Sequence, residues 1–232
     1  MQIRQFRYSR DNFSYLLCGE TRAIAVDGGA VEEILGFLAA NSLNLDAVIN
    51  THGHADHTCG NDRLLRASGA AHLENDVLRA AGRLELDGQE VVVLETPGHT
   101  LDSLCFLAEG CLISGDTLFN ATVGNCFSGD MAAFFHSIKE LMALPGETKI
   151  YAGHDYVHDS LAFARKLEPA NRAIAAYLAG YDRSHVVSTL NQEMQVNPFL
   201  RFNEPSIIEL LAARGMKRAT EFERWESLMW ID

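Results

Sequence analysis

Period-two patterns rich in aromatic and β-branched side chains run over residues 3–8, 13–18 and 23–26, and the third run closes on Asp27, Gly28 and Gly29. A period of two sends successive side chains to opposite faces of an extended chain, so these runs predict an opening antiparallel meander. Val31, Ile34, Leu35 and Leu38 then recur at helical spacing, and residues 47–49 form a short apolar strand that ends at Asn50. A second round follows, with a helix predicted over 62–67 and strands over 90–95, 103–107 and 111–114. A helix over 131–144 carries Phe134, Phe135, Ile138 and Leu141 on one side and stops at Pro145 and Gly146. One more strand is expected at 149–152. Helical patterns dominate from Asp159 onward, broken at Pro169, Asn197-Pro198 and Pro205. Periodicity alone predicts a mixed α/β domain over 1–158 and a helical region over 159–232. Two sheets face to face with helices outside, an αββα four-layer sandwich, would house both strand-rich rounds.

Composition narrows the function. The chain has 232 residues, 47% hydrophobic and 22% charged, enough to bury a core without disulfide staples. Its five cysteines are scattered with no CxxC pair, as expected of ordinary core residues in a reducing compartment. Thirty-one acidic against nineteen basic residues leave a net charge of -12, which opposes binding to nucleic acid. Most of the excess lies in residues 1–168, where the balance is -11, against -1 in the remainder. The opening segment carries Arg4, Arg7 and Arg10 but no apolar stretch of a secretory leader follows, and no apolar run approaches a membrane span. These features predict a cytoplasmic protein with neither membrane nor nucleic-acid partners.

The histidines carry the chemistry. Five of the nine fall in three places where a predicted strand runs out into a loop. The densest is Thr51-His52-Gly53-His54-Ala55-Asp56-His57, just after the strand ending at Asn50. In extended chain positions 52, 54 and 56 share one side, and Gly53 would let the backbone bend around an ion. Three imidazoles and a carboxylate in six residues are costly in an apolar core unless a cation unites them. His99 in Thr96-Pro97-Gly98-His99-Thr100, Asp116 in Gly115-Asp116-Thr117 and His154 in Gly153-His154-Asp155 are each unremarkable alone. Each nevertheless lies just past a predicted strand, and loops at one sheet edge converge. His52, His54, Asp56, His57, His99, Asp116 and His154 exceed the four ligands of one tetrahedral ion, so two divalent metals sharing a carboxylate are expected. Nitrogen and oxygen donors without thiolate suit zinc first, with iron or manganese as alternatives. His72, His136, His158 and His185 lack partners at metal spacing and read as surface or helix residues. Cys59, two positions after His57, reads as a small buried residue rather than a ligand. Trp225 and Trp230, with Leu228 and Met229, read as a tail helix packed on the body or as an oligomer contact, and the sequence leaves the oligomeric state open.

The HxHxDH run followed in order by GH, GD and GH resembles the metallo-β-lactamase fold. Gly115-Asp116-Thr117-Leu118-Phe119, Gly153-His154-Asp155-Tyr156, Glu168-Pro169 with Asn171, Ser188-Thr189-Leu190 with Glu193, and Asn197-Pro198-Phe199 are similar to glyoxalase II, the hydroxyacylglutathione hydrolases of methylglyoxal detoxification. The resemblance implies a catalytic domain over 1–158 and a helical substrate-binding region over 159–232. It implies one metal on His52, His54 and His99, a second on Asp56, His57 and His154, and Asp116 bridging them. Where the family has a basic residue and a tyrosine that bind glutathione, the aligned positions are Asn125 and Phe127. Tyr156 is retained. Lys217 and Arg218 are the candidates for the family's basic pair near the carboxyl terminus.

Two cations sharing a water would lower its pKa and hold hydroxide as the nucleophile for a thioester carbonyl. Asp56 would also orient that hydroxide. A thiol of pKa about 8.5 leaves with little acid assistance, which makes a thioester such as S-lactoylglutathione a natural small-molecule substrate. Two other readings share the fold. A mono-iron persulfide dioxygenase would have the His-Asp-Tyr of 154–156 without this helical region, and a non-catalytic metal-binding protein would keep the ligands without turnover.

Overall fold

The computed structural model describes residues 1–231. Its first sheet has the order β1-β2-β3-β4-β5, from β1 (Gln2–Tyr8), β2 (Asn12–Cys18), β3 (Arg22–Val26), β4 (Asn44–Ile49) and the two-residue β5 (Ala71–His72). The first three strands are antiparallel, and β4 and β5 then continue parallel to β3. Helices α1 (Val31–Asn41), α2 (Ala55–Thr58), α3 (Asn61–Ser68) and α4 (Asn75–Ala81) fall among these strands and after them. The second sheet begins with β6 (Arg83–Leu86), β7 (Gln89–Glu95), β8 (Leu104–Ala108) and β9 (Cys111–Gly115), joined in antiparallel succession. A small hairpin of β10 (Leu118–Phe119) and β11 (Thr122–Val123) leads to α5 (Met131–Met142) and then β12 (Lys149–Ala152), which pairs parallel with β9.

The last part of the chain is α6 (Val157–Leu167), α7 (Ala173–Ala179), β13 (Ser188–Thr189), α8 (Leu190–Val196), α9 (Pro205–Ala213) and α10 (Glu221–Met229). It is not purely helical, as expected from periodicity. β13 adds an antiparallel edge strand to β12, a pairing of two residues too short to show a period. The expected junction at 158/159 falls inside α6. Among the described residues no helix is long and apolar enough to cross a membrane.

Three apolar clusters explain the layers. Phe13, Tyr15 and Leu17 of β2 face Val91, Val93, Leu104 and Phe106 of the second sheet, forming the seam between the sheets. The alternate residues Leu16 and Cys18 point the other way, onto Val31, Ile34 and Leu38 of α1 and Leu64 of α3. Cys105, Leu112 and Ile150 leave the outer face of the second sheet to meet Phe134, Ile138 and Leu141 of α5, Ile207 and Leu211 of α9, and Trp225 of α10. The result is the αββα sandwich. Of its period-two strands, β2 and β3 are buried on both faces while β1 stays partly exposed, and the one face of α5 predicted from sequence is its packing face. Trp225 is the fully buried anchor of the tail helix against Phe134 and Phe135, whereas Trp230 is exposed.

Topology brings the functional loops together. β7 and β9 both run antiparallel to β8, and β12 runs parallel to β9, so all three end at one sheet edge. β3 and β4 likewise end together. The sheets are stitched at that edge by Phe13 N–H to Gly153 O at 2.9 Å, Asp155 N–H to Asp11 O at 2.9 Å and Leu104 N–H to Thr51 O at 2.8 Å.

A buried carboxylate ties the helical region to the same edge. Glu193 of α8 accepts from Ala121 N–H at 2.7 Å, Tyr177 Oη at 2.6 Å, Ser188 Oγ at 2.6 Å and Asn197 Nδ2 at 3.2 Å. Burial pushes its pKa up while these donors pull it back. Removing the carboxylate leaves several buried donors unpaired, so Glu193→Ala should lower unfolding stability by on the order of 3–5 kcal/mol. Urea denaturation reads this; a loss within the error of the measurement would contradict it.

Candidate metal centre

The seven residues expected to act as ligands lie together at the exits of β4, β7, β9 and β12. His52 Nε2 lies 2.9 Å from His54 Nδ1, and His99 Nε2 lies 3.1 Å from the same His54 nitrogen. His57 Nε2 and His154 Nε2 are 3.2 Å apart, and Asp56 Oδ2 is 3.6 Å from the first and 3.4 Å from the second. Asp116 stands between the groups, with Oδ1 3.3 Å from His57 Nε2 and Oδ2 3.5 Å from both His99 Nε2 and His154 Nε2. Donor atoms sort into His52, His54, His99 and into Asp56, His57, His154, with a third overlapping set of His52, His57 and Asp116.

One expectation of local backbone is corrected. Positions 52, 54 and 56 do not share an extended run, because the chain turns helical at Ala55 and Asp56 sits in the first turn of α2. His54 precedes that helix with extended backbone. The turn brings Asp56 and His57 to His154, while the His57 ring stays beside His52 with centroids 4.3 Å apart. At Gly53 a Cβ would meet Asp102 Oδ2 at 3.1 Å. The glycine that matters is Gly153, where a Cβ would lie 2.2 Å from Asp116 Oδ1 and 2.9 Å from His57 Cε1. Cys59 is exposed rather than buried, at the end of α2, with its thiol 3.3 Å from Asp56 O.

A ring of acceptors fixes the imidazoles. His57 Nδ1 donates to Asp27 Oδ2 at 2.9 Å, His154 Nδ1 to Asp11 Oδ1 at 3.1 Å, His99 Nδ1 to Asn125 O at 2.9 Å and His52 Nδ1 to Thr51 Oγ1 at 3.1 Å. Each bond commits Nδ1 as a donor and leaves an Nε2 lone pair aimed inward. Asp27 is buried in left-handed backbone and also accepts from Thr51 N–H at 2.8 Å and Thr51 Oγ1 at 2.7 Å. Neither Asp27 nor Asp11 was singled out from sequence. Asp27 read as the closing residue of a strand, and only its left-handed position ahead of two glycines hinted at more.

Several nitrogen lone pairs and a carboxylate facing one another at about 3 Å is unfavourable unless a positive charge lies between them. Asp116 Oδ1 is buried without a hydrogen-bond partner. Two nitrogens bound to one tetrahedral zinc at about 2.0–2.1 Å lie roughly 3.4 Å apart, close to the separations here. Donor chemistry, the orphaned Asp116 oxygen and the room kept by Gly153 therefore fit a pair of metal ions. Without them, burial pushes the His52 pKa down to about 4, helped by the charge on His57. Burial also works against the charged form of His57, but Asp27 and Asp116 outweigh it and raise the pKa to about 11. Burial works against ionised Asp116 too, yet His154 and His57 hold its carboxyl well below the usual range.

The residues expected to meet substrate divide. Tyr156 stacks on His154, ring centroids 5.0 Å apart and 5° from parallel, and meets Phe119 edge-on. Phe127 is 65% exposed and lies edge-on to His54 and His99, with centroids at 5.7 and 5.2 Å. Asn125 reaches the centre through its backbone carbonyl rather than its side chain. Lys217 and Arg218 are exposed in the loop between α9 and α10, and the hydrogen bonds they take part in stay within residues 216–227. Among the described residues neither touches the histidine cluster. The remaining histidines lie outside it: His72 pairs with Glu74 at 3.1 Å, His136 with Glu140 at 3.3 Å, and His158 and His185 lie edge-on to Tyr181 and Tyr151.

Fold and centre together define a metallohydrolase-type sandwich, and the model of the metallo-beta-lactamase superfamily matches residues 8–90 and 75–154. The model of the hydroxyacylglutathione hydrolase C-terminus matches residues 155–228. Curated relatives include a hydroxyacylglutathione hydrolase from Pseudoalteromonas translucida, 33% identical over 98% of this chain and 95% of its own. One from Photobacterium profundum is 37% identical over 88% of each chain. The chain belongs to the hydroxyacylglutathione hydrolase family of that superfamily. Among solved structures, ETHE1 from Myxococcus xanthus superposes with a TM-score of 0.68 at 23% identity, covering 99% of this chain and 90% of that one, a likeness of fold. A B3 metallo-beta-lactamase, BLEG-1, gives 0.65 at 21% identity over 86% of this chain and 99% of its own.

Asp27→Ala frees His57 to rotate and removes a buried negative charge, so it should weaken metal affinity about 10–100-fold while the chain stays folded. Competition with a chromogenic chelator measures this. Unchanged affinity would show that Asp27 does not hold the ring.

Proposed function

We propose that this protein hydrolyses hydroxyacyl thioesters with two divalent metal ions, zinc first, with iron or manganese as the alternatives. His52, His54 and His99 would hold one ion, Asp56, His57 and His154 the other, and Asp116 both. When bound, such a pair supplies Lewis acidity, lowering the pKa of water and neutralising charge that develops on the acyl oxygen. Asp56 has the freedom to act on that water: its carboxylate is half exposed and accepts a hydrogen bond from Asn12 Nδ2 at 3.0 Å, which leaves its other oxygen to orient the nucleophile. Because a thiolate departs readily, the chain needs no dedicated acid at the leaving group. Phe127 and Tyr156 flank the centre on opposite sides and would position the two arms of the thioester. In this reading residues 1–158 carry the chemistry and 159–232 brace the substrate side.

The observation that carries this reading is the match of residues 155–228 to the hydroxyacylglutathione hydrolase C-terminus, joined to the seven-donor centre. The relatives' named substrate carries carboxylates. Here Asn125 and Phe127 offer no cation beside His54 and His99, so whichever arm of the thioester lies on that flank meets an apolar wall. Small-molecule thioesters are the partner class; we place the enzyme in the cytoplasm, without membrane or nucleic-acid partners.

Purified protein of known metal content, tested on S-lactoylglutathione and a panel of other acyl thioesters, should hydrolyse at least one. A chelator should abolish the activity and added metal restore it. Asp56→Ala and His54→Ala should lose metal and turnover together, by roughly 10²-fold or more in kcat. Full activity in metal-depleted protein would overturn the mechanism, and oxygen uptake with glutathione persulfide would favour a dioxygenase instead.

A further inference from the structure

A cleft of about 440 Å³ opens beside the centre, walled by Arg7, Arg10, Asp155, Tyr156, Tyr181 and Arg183. It shares two walls with the metal centre: the Tyr156 ring lies flat on His154, and Asp11, which also lines the cleft, holds His154 Nδ1. We propose that this cleft is a carboxylate subsite of the same active centre, with Arg10 and Arg183 as its recognition groups. The proposal rests on the thioesterase reading above and adds to it the charge of the substrate arm that passes Tyr156.

The arginines are not equivalent. Arg7 is committed to the framework, its guanidinium bonded to Asp155 Oδ2 at 2.6 Å and to Arg183 O at 3.0 Å, while Tyr181 Oη donates to Asp155 Oδ2 at 2.7 Å. Arg10, in the turn between β1 and β2, and Arg183 are exposed. Among the described residues neither side chain has a hydrogen-bond or ion-pair partner. Of the acidic groups around the cleft, Asp155 is spent on Arg7 and Tyr181, and Asp11 on His154. The lining holds three guanidinium and three carboxylate groups, and of its cations Arg10 and Arg183 are the two whose charge is not bonded to a carboxylate.

In a chain of net charge -12, two guanidinium groups free of carboxylate partners beside the metal centre are a place where an anion can be held. A guanidinium fork matches a carboxylate in shape as well as charge. Phe127 presents only hydrocarbon on the other flank, so a substrate with one apolar and one anionic arm has a single favourable orientation. The carboxylate can belong to the acyl group or to the thiol. Both have the same chemistry for Arg10 and Arg183.

The test uses three thioesters on the metal-loaded enzyme: S-acetyl-N-acetylcysteamine, with no carboxylate; S-succinyl-N-acetylcysteamine, with one on the acyl arm; and S-acetyl-3-mercaptopropionate, with one on the thiol arm. The preferred carboxylated substrate over the neutral one gives a selectivity ratio in kcat/KM. Arg10→Gln combined with Arg183→Gln should lower that ratio about ten-fold, chiefly through KM, and which substrate responds identifies the arm. Binding of succinate to the metal-loaded enzyme, followed by calorimetry, should weaken by a similar factor in the same variant and with rising salt. Selectivity and succinate binding both unaltered in the double variant would overturn the subsite. Failure of all three thioesters to react would instead count against the thioesterase reading, with succinate binding still deciding the cleft.

Discussion

The structure depends on one electrostatic constraint: five imidazoles and two aspartates crowd one sheet edge with their donor atoms about 3 Å apart, and His52, His57 and His99 are buried. Such a cluster is intolerable to an apolar core unless cations lie within it. The parallel ends of β7, β9 and β12 meet those of β3 and β4 there, and the sheets are stitched at that edge by backbone hydrogen bonds. Asp27, Asp11, Thr51 and Asn125 fix the Nδ1 atoms so that the Nε2 lone pairs point inward. Stability is conceded at the centre and recovered in the three apolar clusters behind it.

Much of this was legible in the chain. The opening strands β1 to β3 were legible as period-two runs, β8 as a short apolar run, and α5 as a clear helical face. The seven donors could be found because each follows a strand end, and strand ends are the most visible boundaries in an alternating sequence. The rest was hidden for physical reasons. β5, β10, β11 and β13 are two residues long and exist only through pairing with distant segments. The helical turn at Ala55 contradicts the extended spacing of 52, 54 and 56 because one turn of helix has no period to read. Asp27 and Asp11 are ordinary turn residues until the fold brings His57 and His154 against them. Cys59 read as buried because free cysteine is among the most often buried residue types, whereas at the end of α2 it is exposed.

The two flanks of the centre differ in character. On the His54 and His99 side Phe127 offers an exposed ring and Asn125 only a carbonyl. On the His154 side the wall is aromatic and then cationic, from Tyr156 to Arg10 and Arg183. Lys217 and Arg218, which sequence nominated for charge recognition, lie in a loop without contact to the cluster. The proposed subsite would place recognition of substrate charge on the turn between the first two strands and the loop between α7 and β13.

The central claim is that this edge holds two cations through one shared carboxylate. Native mass spectrometry of metal-free protein titrated with zinc measures it most directly. Two ions should bind per chain, one should remain when either His52 or His154 is replaced by alanine, and Asp116→Ala should weaken both. Saturation at a single ion in the unaltered chain, or uptake indifferent to Asp116, would contradict the account.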